Sequence, residues 1–219
     1  MKKQIYNLDY NSHDYIFIDN IWLLWKGQVI NMKNTNDYKE FMKNFFEKYY
    51  EKYKEWLQLP DVPKDMLAEG ADPDEEWNQW KLIQAEILDE DIRELENKVG
   101  VELPNMLKSF LTTYCHLFEY PVGRNSSEEP FEAVYNAWNP LLVKVGYLPF
   151  TWDSEGYFIR CIDLKNMPDE DSCTICQIDH EILFDFDEEN TNREDIEPKM
   201  QQIADNFIEY LEQLLEDEI

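Results

Sequence analysis

Apolar residues recur three and four apart through Phe41, Phe45, Tyr49, Tyr53 and Trp56, and this period predicts an amphipathic helix that starts after Asn36-Asp37 and stops before Pro60. Its aromatic stripe is read as core, the usual fate of such a face. Ahead of it, β-prone runs over residues 15–25 and 28–32 flank Lys26-Gly27, which predicts a β-hairpin. Behind it the period breaks down in an acidic stretch punctuated by Pro60, Pro63, Gly70 and Pro73, which predicts a linker or an exposed loop. The expected division is an N-terminal extension over residues 1–72 and a second domain over residues 73–219.

In the second part, Ile92, Leu95 and Val99 share one face of a helix that Asp89 can cap, and Gly100 suits the left-handed position that stops it. Pro104 suits the first position of the next helix, where its missing N–H costs nothing, and Leu107, Phe110 and Leu111 form that helix's apolar face. A strand ending at Phe150, a turn over 153–156 and a strand over 157–164 are expected next. A third strand is expected in "CTICQIDHEILFDF". The chain should close as a helix in "IEPKMQQIADNFIEYLEQLL", with Ile203, Phe207, Leu211 and Leu214 inward. Helices, then an antiparallel sheet, then a helix define an α+β fold.

Charge changes the picture. The chain of 219 residues carries 47 Asp plus Glu against 20 Lys plus Arg, a net of -27. Residues 1–60 are nearly neutral, so almost all of the excess lies beyond them. Such a field repels nucleic acid and anionic membrane, and it either steers a basic protein partner or serves solubility. No apolar run is long enough for a membrane span, and the start lacks the apolar core of a signal peptide, so a cytoplasmic location is expected. Cys115, Cys161, Cys173 and Cys176 are too sparse for a disulfide framework and are expected as thiols.

Candidate chemistry is thin. Cys173 and Cys176 have the spacing of half a zinc site, but no second pair closes it, and three residues along a strand point two thiols to opposite faces. Residues 185–196 imitate a calcium loop, yet Asn190 stands where glycine is required and Ile196 where glutamate is required. Neither a metal nor a cofactor is expected. No nucleophile elbow, phosphate loop or zinc-protease motif is present, and His13, His116 and His180 share no spacing, so no catalytic residue is assigned.

One combination is more specific. Ile92, Leu95-Glu96, Val99-Gly100, Leu103-Pro104 and Phe110-Leu111 resemble the N-terminal signature of the SUKH superfamily. Pro149, Phe150, Asp153, Gly156 and Asp163 resemble its strand-turn-strand element, and the helix holding Phe207 and Leu211 resembles its closing element. The resemblance covers about residues 87–215; the connector over 112–146 departs from the family pattern. It implies a non-enzymatic protein-binding module, similar to bacterial immunity proteins that neutralise a cognate toxin, often a nuclease, or to fungal regulators of cell-wall synthesis. A regulatory adaptor of envelope synthesis and a carboxylate-dependent hydrolase remain alternatives. The partner expected on this reading is a basic toxin protein. The expected contacts are Asp153, Glu155, Asp169, Glu170, Asp171, Asp187, Glu188 and Glu189, which fall in three turns where carboxylates can project beyond a sheet.

Overall fold

The computed structural model describes residues 23–25, 28–30 and 35–216. Strands β1 (Leu23–Trp25) and β2 (Gln28–Ile30) pair antiparallel, Leu23 opposite Ile30 and Trp25 opposite Gln28. The rest of the expected hairpin, from residue 15 and through Lys26-Gly27, lies outside the described residues. This pair belongs to a unit of residues 1–33, and residues 34–219 form a second compact unit.

The second unit therefore begins ahead of the long helix, not near Asp72. Helix α1 (Thr35–Tyr53) buries Tyr38, Met42, Phe45 and Phe46, and Phe46 lies 5.0 Å from Phe110 and 4.7 Å from the His116 ring. That seam is shifted from the expected stripe. Trp56 follows the helix in a short 3-10 turn and is 76% exposed. The acidic stretch behind it is ordered by pairing: β3 (Gln58–Leu59) faces β4 (Asn78–Gln79), Leu67 bridges to Trp80, and Met66 and Trp80 are buried.

A further short pair, β5 (Ile83–Gln84) with β6 (Tyr114–Cys115), brackets two helices, α2 (Asp89–Val99) and α3 (Asn105–Thr113). Leu88, not Asp89, is the N-cap of α2, because Asp91 reaches back to accept the Leu88 amide at 2.7 Å. Gly100 ends α2 at φ +85°, and its N–H donates to the Glu96 carbonyl at 2.9 Å. The Glu96 side chain then accepts the Leu103 amide at 2.9 Å and pairs with Lys108 at 2.8 Å, so one carboxylate ties the end of α2 to the start of α3. Pro104 is the N-cap of α3, one position ahead of the expected N1. Inside the connector, buried Asn125 donates to the carbonyls of Leu111 and Tyr114 and accepts the Phe131 amide, and helices α4 (Glu132–Ala137) and α5 (Pro140–Lys144) follow.

The main sheet is antiparallel, in the order β10-β9-β8-β7: β7 (Tyr147–Trp152), β8 (Phe158–Asp163), β9 (Ile175–Asp179) and β10 (Gln201–Ala204). The expected third strand stops at Asp179, and residues 180–185 continue as a 3-10 helix. The expected closing helix is split. Ile203 lies on β10, while α6 (Arg193–Ile196) and α7 (Phe207–Glu216) flank that strand. One face of the sheet meets α7, where Phe150 lies 5.4 Å from Phe207 and 5.5 Å from Tyr210. On the other face Tyr147, Ile159, Cys161 and Ile178 pack with Leu141, Leu142, Leu183 and Ile196.

Candidate functional site

The three acidic turns do not converge, because successive hairpins of an antiparallel sheet close at opposite ends. The turn between β7 and β8 lies at one end, beside the β9 exit, where the His180 amide donates to the Tyr157 carbonyl at 3.1 Å. Residues 169–171 lie in the β8–β9 connection at the other end. Residues 187–189 return toward that end: the Lys144 ammonium donates to the carbonyls of Glu188, Glu189 (3.1 Å) and Thr191 (3.2 Å). Lys144 closes α5, beside Gly146, whose carbonyl accepts the Leu164 amide.

The eight expected contacts divide by local chemistry. Asp153 is only 9% exposed, and its Oδ1 accepts the amides of Tyr157 at 2.7 Å and Phe158 at 2.8 Å. It shapes the turn and does not face outward, which corrects its assignment as a contact. Glu170 is half-buried; it accepts Asn105 Nδ2 at 2.8 Å and the Met106 amide at 3.1 Å. It thus supplies the anionic cap that α3, starting after a proline, cannot provide for itself. Asp171 accepts the Tyr38 hydroxyl at 3.3 Å, and burial with these carboxylates raises the Tyr38 pKa well above its ordinary value. Glu155, Asp169, Asp187, Glu188 and Glu189 are exposed. Of these, Asp187 spends its carboxylate on the Glu189 amide at 3.0 Å and Asn190 at 2.5 Å, and these bonds lower its pKa.

Two other features stand on the same framework. Arg193 donates to Asp163 at 2.6 Å and to the Tyr147 hydroxyl at 3.0 Å, with its guanidinium 4.3 Å from the centre of the Tyr147 ring. Burial pushes that phenol up to about 12. Asp163 also accepts the Lys165 amide, so this acid, like Asp153 and Glu96, holds a corner of the chain. At the β7–β8 end, Trp152 and His180 lie 5.4 Å apart and His180 and Phe184 6.4 Å apart. Phe184 is 83% exposed and Tyr157 57%. Sequence reasoning missed this cluster: "HEILFDF" reads as a continuing strand, and only the 3-10 turn sends Phe184 outward.

No group of three His, Cys, Asp or Glu side chains among the described residues is placed to hold a metal ion. The four cysteines are buried free thiols, and burial raises the pKa of each. Three carbonyls of the imitation calcium loop, those of Glu188, Glu189 and Thr191, are already occupied by the Lys144 ammonium. No described helix is long and apolar enough to cross a membrane. A model of the SMI1 / KNR4 family (SUKH-1) matches residues 86–213, more than half of the chain. No curated protein matches the sequence.

Proposed function

The chain belongs to the SMI1 / KNR4 family (SUKH-1), whose role is of the immunity or regulatory protein-binding type, and on that premise we propose that it neutralises a basic toxin protein by occupying the toxin's cationic surface. The observation that carries this reading is the exposed carboxylate set. Glu155, Glu188 and Glu189 stand clear of the protein on loops whose backbones are tied down, and Asp169 is exposed with one oxygen accepting the Ser172 hydroxyl at 2.7 Å. Charges presented this way raise the encounter rate with a cationic surface and disfavour nucleic acid. A nuclease toxin is a natural target, because the surface that grips phosphates is itself basic.

The test uses a purified basic toxin encoded beside this chain. The expected result is an equimolar complex, loss of toxin activity on titration, and an association rate that falls steeply as salt is raised from about 50 to about 300 mM, while dissociation changes little. An association rate indifferent to salt, or full toxin activity at excess inhibitor, would remove the reading.

A further inference from the structure

The cluster at the β7–β8 end has a composition that the acidic turns alone do not. Trp152 is seated: its Nε1 donates to the Asn136 carbonyl at 3.1 Å, and its ring packs partly on the core. His180 is seated too, with Nδ1 2.9 Å from the Tyr157 carbonyl. The Phe184 ring stands 6.4 Å from that of His180, and Tyr157, whose carbonyl holds His180, is exposed beside it, although the same fold buries most of its other large apolar side chains. Exposed aromatics grouped on a fixed base are the side chains most often found to dominate binding energy.

The surroundings say what would cover them. Residues 152–159 and 179–192 contain no Lys or Arg. The side chains of Glu155, Glu181 and Asp185 are exposed, and their carboxylates take no hydrogen bond or ion pair among the described residues; the Glu181 amide donates to Asp179 at 2.9 Å. Ring faces bordered by unpaired carboxylates suit a planar cation, which can stack on the rings while its N–H groups reach the acids. A compact ammonium uses only part of that arrangement.

We propose that Trp152, Tyr157, His180 and Phe184, bordered by Glu155, Glu181 and Asp185, form the docking surface for an arginine-bearing segment of a basic partner protein. This deepens the reading of the chain as a binder of a basic protein and assigns its anchor to this end of the sheet. The loop at Asp187–Glu189 then supplies long-range attraction, and the aromatic end holds the partner.

An oligoarginine peptide and an oligolysine peptide of equal length serve as probes, followed through the indole N–H resonance of Trp152, which is identified by Trp152→Phe. The expected result is that oligoarginine shifts this resonance and binds more tightly than oligolysine. Phe184→Ser and Tyr157→Ser should each weaken binding about tenfold. Their melting temperatures should stay within about 2 °C of the parent, as surface substitutions do. Glu188→Gln with Glu189→Gln should change affinity less than either. If oligoarginine binds but is indifferent to the Phe184 and Tyr157 substitutions, this surface is wrong and the basic-partner reading survives. If neither peptide binds at low salt, both fall. If the parent self-associates in sedimentation and Phe184→Ser abolishes it, the patch serves a second copy of the chain, which also overturns the proposal.

Discussion

Replacing His116 with phenylalanine tests how this core is held at neutral pH. The ring is fully buried, lies 4.7 Å from Phe46 and 5.2 Å from Phe118, and neither ring nitrogen has a hydrogen-bond partner among the described residues. Burial pushes its pKa from 6.5 down to about 3. The folded imidazole thus stays neutral while the unfolded one takes up a proton as pH falls through 6.5. Stability from this group is fully present above that value and is lost progressively on acidification toward 3. At about pH 5, roughly one and a half units below the unfolded pKa, the loss relative to about pH 7.5 is about 2 kcal/mol. That is a large share of the about 5–15 kcal/mol typical of a folded domain. In His116→Phe the term vanishes, and two buried nitrogens that satisfy nothing are removed, so the variant should equal or exceed the parent at pH 7.5. Urea melts of both proteins at the two pH values give the comparison, in which the carboxylate contributions common to both cancel. An equal loss of stability in parent and variant would refute a buried neutral histidine.

The corner between α2 and α3 gives a second set. Leu103→Ala empties a buried site and should lower the unfolding free energy by about 2–5 kcal/mol in urea melts. Gly100→Val should lower it by about 1 kcal/mol, for backbone strain alone, since a Cβ there meets nothing within 4 Å among the described residues. Glu170→Ala strips the N-terminus of α3 of its anionic cap and should cost about 0.5–2 kcal/mol in thermal melts, with Glu170→Gln recovering part of it. Arg193→Met leaves the half-buried Asp163 without its guanidinium, and a cost of about 2–3 kcal/mol is expected in chemical denaturation at neutral pH.

Local chemistry was legible where it was also dominant. The glycine that stops α2, the Leu103-Pro104 corner, the strands either side of the Asp153 turn and the amphipathic character of α1 and α7 all follow from residues within a few positions of one another. What misled was competition from distant partners. Ile196, Met200, Ile203 and Phe207 fit a helical spacing, yet Gln201 and Gln202 pair with Gln177 and Cys176, and the edge of the sheet converts the middle of that run into a strand. The connector could not be read because its order depends on Asn125, whose three side-chain hydrogen bonds reach Leu111, Tyr114 and Phe131. Asp153 and Glu155 look equivalent in sequence. Only the amides of Tyr157 and Phe158, converging on one carboxylate, turn Asp153 inward and leave Glu155 free.

The Lys144 contact decides what kind of object the Asp185–Glu189 segment is. Four acids in five residues repel one another, and a loose segment of that composition would behave as a polyelectrolyte brush, its field averaged over many shapes. One ammonium drawn against three backbone carbonyls leaves the outer carboxylates untouched and fixes where their charge sits, so the segment acts as an electrode of set shape. An incoming partner meets a field already oriented and need not order the loop to use it. Acylating that single amine would barely alter the composition of the surface, yet it would free three carbonyls and leave the shape of the electrode to the Asp187 turn alone.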